Sequence, residues 1–494
     1  MKKINVFLPW NLPEYYPANG FHNLYDFLLE DNDRLDFKVL KIEYFDNKFF
    51  LNGLARLNEF DPEFKNYNKS SAISYLLNKI GASGCELEFL HTSPIFASKN
   101  KPFIFHLEDF QSIFLRRDIS PTFKNDVDLQ NIFERKNCLA IISHIPETLQ
   151  SFRNYFNSPD INSKLHYSKI ALSDSFSNSV NRLKTSHKES SETVFLFTSS
   201  SSDHVIRGFK VVTNLAKKLI ESNRKVKFIF KCAKLSKSDF LSLGLSDEQI
   251  DFIYNCPSIT WYEERLSNDE MNVLYKLSDF LLLPSAQLHS MEILKSMYCE
   301  VIPVVTDIIG TDQYVTHLED GIILKGVKEA LFQDKVSLLK ANIENYPALE
   351  NSLTEQLFSN LVKIIDQKGA VEKMRSEARK TVIKNYAFAD SADQISSYIS
   401  VEYGKKIGKD RNKLSRLLKK LIKKYFLSAD FGRYKQAAPQ KVFEWENIKV
   451  FKHHSRYYLL DSAEEATSDI ARSSKSYKNI LEVYKELRRR LFSN

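Results

Sequence analysis

The stretch that most constrains the fold is residues 279–312, DFLLLPSAQLHSMEILKSMYCEVIPVVTDIIGTD. An apolar run ends at Pro284, a small polar turn leads into a segment of helical composition, and a second apolar run follows that is rich in β-branched residues. This order predicts a parallel βαβ unit. Because ligands of open α/β sheets bind beyond the carboxyl ends of the strands, the turn 285–290 and the loop 306–312 are predicted to border a ligand site.

The start of the helix in this unit is predicted to bind an anion. Ser290 is placed to cap the helix. The unpaired N–H groups of a first helical turn and the positive end of the helix dipole together suit a phosphate.

The same alternation of apolar runs and helical segments recurs along the chain and predicts two domains. Strands are predicted at 4–10, 36–42, 85–90, 101–110, 138–143, 194–198, 225–231 and 258–264. A chain of 494 residues is too long for one core. We therefore predict an α/β protein with two Rossmann-like, doubly wound domains that face each other across a cleft.

The predicted domain borders follow the composition. Residues 1–175 form the N-terminal domain, and 176–193, rich in Ser, Lys and Asn, form a linker. Residues 194–404 form the C-terminal domain with its closing helices, and 405–494 form a basic helical and mixed extension.

Composition limits the setting. The chain is 43% hydrophobic and 27% charged, which is typical of a soluble globular protein. It has no run near the ~18 apolar residues of a membrane-spanning helix, and the apolar start is too short for a signal peptide. None of the five cysteines forms a CxxC pair. We expect a reduced, cytoplasmic protein without a zinc site.

The positive charge lies in the tail. Residues 405–494 hold 23 Lys and Arg against 10 Asp and Glu, whereas the whole chain has a net charge of +8. A body that is net negative argues against a nucleic-acid-binding core. Apolar residues in 411–426 repeat at helical spacing with a basic opposite face. Such a helix either lies on an anionic membrane surface or packs on protein with its basic face in solvent, and both readings stay open. Residues 440–460 alternate as in a hairpin.

Candidate reactive groups of the first half follow predicted strands. His106 and Glu108 come at the end of the strand 101–110. Either can act as a base or orient a hydroxyl, and the alternative is a capped strand end with a satisfied histidine. Gly20 follows the first strand, where it either lets a ligand approach the backbone or only provides a flexible turn.

The second half carries a predicted phosphate loop. Ser200 lies in a run of serines that precedes a helix, and Arg207 and Lys210 are the nearby cations. A serine run is also a common loop. Lys231 ends the next strand and is either a further cation of the site or a solvated strand end.

These features resemble a GT-B glycosyltransferase, and the second half is similar to the nucleotide-sugar domain of glycosyltransferase family 4. The pieces that carry the likeness are FLFTSSSSDHVIRGF, then LYKLSDFLLLPS, then LKSMYCEVIPVVTDIIGTDQYVTHLEDGIIL. The likeness covers about 194–400 well. It covers 1–175 only through the order of elements and the segments IFHLEDF and IISHIPETL.

The resemblance implies a nucleotide-sugar donor held by 198–210, 285–295 and 306–313, with an acceptor in the N-terminal cleft. The candidate donor-binding residues are Ser200, Arg207, Lys210, Lys231, Ser285, His289, Ser290, Glu292, Lys295, Gly310 and Asp312. His106 and Glu108 are the catalytic candidates, and Gly20 is the acceptor-side candidate. Helix dipoles and cations, rather than a metal or another cofactor, are expected to stabilise the leaving diphosphate. The acidic segments DND at 31–33 and DVD at 126–128 are interpreted as solvated turns.

One departure from the family falls inside the site. The two glutamates that many members carry here correspond to Gln287 and Lys295, and Glu300 stands at the usual glycine. Glu292 is the one carboxylate of the short helix and can take over ribose binding. In the other reading, Ser290 and His289 bind phosphate while the ribose contact comes from elsewhere.

The leading hypothesis is a cytoplasmic glycosyltransferase, peripheral at the inner face of a membrane. It would move a sugar from a nucleotide donor to a glycan or glycolipid acceptor in bacterial-type surface polysaccharide synthesis, with retention and without a metal. Two alternatives are a catalytically eroded GT-B-shaped partner or scaffold subunit and a nucleotide-sugar epimerase.

Overall fold

The structure is a computed structural model of the 494-residue chain. It describes residues 3–8, 34–39, 85–91, 97, 101–108, 110–113, 126–183, 192–199, 204–264, 266–331, 343–367, 369–386, 440–445, 448–453, 456–461 and 476–477. None of the helices in these ranges is both long and apolar enough to cross a membrane.

The first domain is built on a six-stranded parallel sheet. Its strands are β1 (Ile4–Leu8), β2 (Leu35–Val39), β3 (Leu87–His91), β4 (Phe103–His106), β5 (Cys138–Ser143) and β6 (Leu165–Tyr167), in the spatial order β2-β1-β3-β4-β5-β6. Its helices are α1 (Asp126–Glu134), α2 (Pro146–Phe156), α3 (Pro159–Asn162) and α4 (Asp174–Arg182). The three-residue strand β6 was not predicted, because Leu165–Tyr167 is flanked by polar residues and forms no apolar run.

The second domain repeats this plan. Its strands are β7 (Thr193–Thr198), β8 (Val226–Lys231), β9 (Ile259–Trp261), β10 (Phe280–Leu283), β11 (Ile302–Thr306) and β12 (Ile322–Leu324), in the order β12-β11-β10-β7-β8-β9, all parallel. Its helices are α5 (Phe209–Glu221), α6 (Lys237–Ser242), α7 (Asp247–Asn255), α8 (Asn268–Leu277), α9 (Ser290–Tyr298), α10 (Val327–Leu331), α11 (Glu350–Asp366) and α12 (Ala370–Asn385). The predicted βαβ unit is β10–α9–β11, which confirms that prediction.

The two central strands of the second sheet are buried on both faces. Phe280 of β10 pairs with Phe195 of β7 and Ile302 of β11, and all three side chains have no exposed surface. Near-continuous apolar runs are typical of parallel strands that helices cover on both sides. The β10–α9–β11 unit is therefore a rigid platform for the loops at its carboxyl end.

Helix α8, which leads into β10, begins at the predicted capping box. The Ser267 side chain accepts the N–H of Glu270, and the Glu270 carboxylate accepts the N–H of Ser267. This reciprocal pair satisfies two of the N–H groups that a helix start leaves open.

Helix α4 joins the two domains. It occupies the first part of the segment 176–193 that was predicted as a linker, and residues 184–191 lie outside the described residues. Phe176 and Val180 are buried in a core that includes Leu274 and Leu294 of the second domain. The boundary between the domains is therefore partly a packed helix.

The chain returns to the first domain after α12. The N–H of Leu172 donates to the carbonyl of Tyr386 at 3.2 Å, and the Tyr386 ring stacks on Tyr314 with centroids 5.5 Å apart. The Tyr386 hydroxyl donates to the Gln313 carbonyl. One residue thus contacts both domains.

The tail contains a four-stranded antiparallel sheet. Its strands are β13 (Gln440–Trp445), β14 (Ile448–His453), β15 (Arg456–Asp461) and β16 (Ser476–Tyr477), paired in sequence order. The predicted hairpin is confirmed. The predicted amphipathic helix at 411–426 lies outside the described residues.

Candidate functional site

His106 is locked inside the first domain. Its side chain is 1% exposed, and its ring lies between Phe89, at 6.0 Å between centroids, and His144, at 5.3 Å. Its Nε2 is 3.4 Å from Nδ1 of His144. The ring is therefore buried and held between two aromatic neighbours.

Glu108 reaches from the first domain to the second. Its Oε1 accepts a hydrogen bond from the Ser290 hydroxyl at 2.6 Å, and its side chain is 18% exposed. The Thr148 hydroxyl donates to the Glu108 carbonyl at 3.0 Å and holds the backbone after β4. The carboxylate therefore stands on the boundary between the domains.

His144 is a member of the site that the sequence did not identify. It follows β5, is 2% exposed, and places Nε2 3.7 Å from Oε1 of Glu108. Its ring also meets the edge of Tyr314, with centroids 6.4 Å apart. Burial, with Tyr386 and then Glu108 nearby, raises the pKa of the Tyr314 hydroxyl well above its ordinary value.

The start of α9 differs from its prediction. Ser290 was predicted to cap the helix, but His289 is the N-cap residue and Ser290 is the first helical residue. No side chain caps the helix. The Ser290 hydroxyl is instead used by Glu108, so the prediction that Ser290 caps the helix was wrong. The first turn keeps N–H groups that the helix itself cannot pair.

The turn before α9 is internally hydrogen bonded. The Ser285 hydroxyl donates to the Ile206 carbonyl at 3.1 Å and accepts from the Gln287 N–H at 3.0 Å. Since that hydroxyl has a single proton, Nε2 of His289, 3.0 Å away, is the donor of their shared hydrogen bond. Ser285 and His289 therefore shape the turn.

The turn 204–208 packs directly against this loop. The Ala286 N–H donates to the Ile206 carbonyl at 2.8 Å. Gly208 has φ +76°, and a Cβ there would overlap the Pro284 carbonyl oxygen. Glycine is required because the two backbones touch. Half-buried Arg207 lies in this turn.

The other predicted cations have separate environments. Lys210 forms an ion pair with the buried Glu350 at 3.1 Å. Lys231 is half-buried at the end of β8. Lys295 is 8% exposed, and its Nζ lies over the Phe176 ring, 5.3 Å from the centroid.

Glu292, the candidate for ribose binding, accepts a hydrogen bond from the Tyr275 hydroxyl at 2.5 Å. This contact lies on the side of α9 that packs on α8.

The loop after β11 reaches the first domain. Gly310 has φ +85°, and a Cβ there would lie 3.0 Å from side-chain carbons of Ile145. Asp312 is exposed in the short 3₁₀ turn Thr311–Gln313.

Gly20 and Ser200 lie outside the described residues, as does the acidic segment 31–33. The other acidic segment, 126–128, was interpreted as a solvated turn. The structure corrects that interpretation, because these residues begin α1.

The structure thus brings Glu108, His144, Ser290, Gly310 and Tyr314 together across the domain boundary. All five lie at carboxyl ends of strands or just beyond them, where parallel sheets place ligands. Among the described residues, no three His, Cys, Asp or Glu side chains are grouped closely enough to hold a metal ion.

Comparisons with known proteins identify the fold. No model of a protein family matches the chain, and no curated protein matches it. Among solved structures, HepE of Anabaena in complex with UDP and glucose is similar at a TM-score of 0.53 and 13% identity, covering 81% of this chain and 100% of that one. The same protein in complex with UDP-glucose gives a TM-score of 0.51 and 13% identity, covering 80% and 99%.

A sucrose-phosphate synthase of Thermosynechococcus elongatus is similar at a TM-score of 0.53 and 10% identity, covering 82% of this chain and 100% of that one. Together with the two six-stranded parallel sheets, these similarities show that the chain has the predicted two-domain GT-B fold.

Proposed function

We propose that the chain is a glycosyltransferase that takes a sugar from a nucleotide-sugar donor. The observation that carries this proposal is the start of α9, an uncapped helix N-terminus that faces the first domain across the boundary. Such a terminus suits a diphosphate. Solved proteins of the same fold support it, since HepE is bound to UDP-glucose in one structure and to UDP with glucose in another.

The proposed donor site lies between the turn 204–208, the start of α9 and the loop after β11. The first-turn N–H groups of α9 and the Arg207 guanidinium take the diphosphate. As the bond to the anomeric carbon breaks, negative charge builds on the leaving diphosphate, and preorganised donors stabilise it. We assign this role to the helix and the cation rather than to a metal.

The proposed acceptor side is the carboxylate of Glu108 backed by His144. An acceptor hydroxyl that enters the boundary between the domains meets this carboxylate, which orients it towards the anomeric carbon. Holding both reactants next to each other in a reactive orientation supplies much of the rate enhancement. His106 holds the His144 ring in place by stacking on it, since its own ring is packed against Phe89.

We further propose that the reaction retains the anomeric configuration and serves surface polysaccharide synthesis, with a glycan or glycolipid as acceptor. The basic segment 411–426 would hold the enzyme at an anionic membrane surface, where each cation adds ~1 kcal/mol. Replacing its lysines and arginines by glutamine in the full chain should abolish co-sedimentation with anionic liposomes. Unchanged co-sedimentation would remove the membrane role.

A second candidate function is a GT-B-shaped partner subunit without activity. The observation that favours it is Lys295. This residue corresponds to a glutamate in the glycosyltransferase family that the sequence resembles, and it is buried against Phe176. In that case the chain would bind donor poorly and would be needed only for the activity of another protein.

The test is a screen of UDP-, GDP-, ADP- and CDP-sugars by calorimetry and by donor hydrolysis. We expect one nucleotide class to bind and to release its nucleotide. Arg207→Ala should weaken that binding about tenfold or more, since a charge-assisted contact is lost. Arg224→Ala is the matched control, because Arg224 pairs with Asp366 on the surface. Absence of affinity for every nucleotide sugar would refute the proposal.

A further inference from the structure

A carboxylate of the protein is hydrogen bonded to the side chain of the first residue of α9. Oε1 of Glu108 lies 2.6 Å from the Ser290 hydroxyl, and Ser290 is the first residue of this nine-residue helix. Ser290 is 1% exposed. Glu108 belongs to the other domain, so no local capping pattern in the sequence explains the contact.

A helix N-terminus binds carboxylates and phosphates for the same reasons, namely its unpaired N–H groups and its dipole. Two anions at one terminus repel each other strongly in a partly buried site. The donor diphosphate and the Glu108 carboxylate therefore cannot both bind there.

We propose that Glu108 is a placeholder for the donor diphosphate, which displaces it from Ser290 on binding. This inference rests on the proposed function, because it assigns the start of α9 to the diphosphate. It adds a specificity rule for that site: a ligand must carry enough negative charge to replace a bound carboxylate.

His144 offers the displaced carboxylate a second position. Its Nε2 lies 3.7 Å from Oε1 of Glu108, is buried, and makes no hydrogen bond with any residue that the structure describes. Stacking on His106 and the edge of Tyr314 hold the ring in place. A small rotation of the Glu108 side chain brings its oxygen within hydrogen-bond distance of Nε2–H.

The exchange also sets an order of binding. While Glu108 is bonded to Ser290, its carboxylate is not available to orient an acceptor hydroxyl. Donor binding breaks this hydrogen bond, so that the Glu108 carboxylate can orient the acceptor. The enzyme therefore binds its donor first and its acceptor second.

Calorimetric titration with UDP, GDP, ADP and CDP tests this inference, using the diphosphate that binds the wild-type chain most tightly. Glu108→Gln removes the competing charge and should tighten that diphosphate about tenfold. Glu108→Asp keeps the charge but shortens the side chain, so it should also tighten binding. Glu147→Gln is the matched control, a half-buried glutamate at the start of α2, and should change nothing.

Unchanged or weaker binding in both folded Glu108 variants, beside a wild type that binds, would overturn the placeholder and leave the proposed function standing. A wild type that binds none of the four diphosphates would overturn both. A purely structural role of Glu108 predicts no gain of affinity in any variant.

Discussion

Gly310 and Ile145 touch across the domain boundary: a Cβ on residue 310 would lie 3.0 Å from side-chain carbons of Ile145. Gly310 also has φ +85°. Gly310→Ala should therefore add backbone strain of about 1–2 kcal/mol and an overpacking cost of about 1–3 kcal/mol. We expect a clear drop in the urea midpoint of unfolding.

Gly369→Ala separates these two costs. Gly369 has φ +77° and would place its Cβ in open space. Gly369→Ala should therefore lower the free energy of unfolding only by the backbone strain, about 1–2 kcal/mol. Equal losses for the two variants would show that the domains do not meet at Gly310 in solution.

Lys210 and Glu350 form an ion pair whose contribution to stability can be measured by mutation. Burial raises the pKa of Glu350, and Lys210, 3.1 Å away, partly offsets that rise. Lys210→Met should destabilise the protein by about 1–3 kcal/mol, because a buried carboxylate loses its partner. The double variant Lys210→Met with Glu350→Gln should recover most of the loss.

The loss should depend on pH. The pKa of Glu350 is higher in the folded than in the unfolded protein. Below the unfolded pKa the carboxyl is protonated in both states, so its burial does not lower the free energy of unfolding. The cost grows as the pH rises towards the folded pKa and is full above it. The Lys210→Met deficit should thus be larger at pH 8 than at pH 4. A deficit independent of pH would contradict this account.

Asp279 ties three elements together. It accepts the Val194 N–H at 2.7 Å and the Arg375 guanidinium at 2.9 Å, and it is 7% exposed. Asp279→Asn should cost about 2–3 kcal/mol by leaving a charged donor unsatisfied, measured by urea unfolding. Glu300→Gln is the control, because its half-exposed carboxylate lies 3.7 Å from Arg379 and should matter by less than about 1 kcal/mol. Equal losses of stability in Asp279→Asn and Glu300→Gln would refute the stabilising role of Asp279.

The cysteines should differ in reactivity. Burial raises the pKa of Cys232 and Cys299 to about 12, and Cys85 and Cys138 are also buried. Cys256 is half-buried. Native protein at pH 8 should show one thiol that reacts rapidly with Ellman's reagent, because the thiolate is the reactive form. Cys256→Ser should remove it. Two or more fast thiols in the native protein would contradict this ranking.

The alternation of strands and helices could be predicted because each element has its own local periodicity of apolar residues. Cys138–Ser143 was predicted with its observed bounds, and the capping box of Ser267 and Glu270 was found from four residues. Both depend only on neighbours in the sequence. The two-domain arrangement then followed from the order of elements.

The contacts across the boundary could not be predicted in the same way. Ser290 is a good capping residue by type, yet its hydroxyl binds Glu108, which is 182 positions away. His144 lies in the segment IISHIPETL that carries part of the family likeness, but its place beside His106 and Glu108 appears only when β5 lies beside β4. Within the second domain, the ion pair of Lys210 and Glu350 likewise forms only because α11 packs beside α5, which no local pattern shows.

The most direct test of the account is a structure of the protein with a bound nucleoside diphosphate. We predict diphosphate oxygens at about 2.7–3.2 Å from the first-turn N–H groups of α9, with Glu108 moved from Ser290 to His144. A diphosphate bound away from α9, or one bound there beside an unmoved Glu108, would contradict it.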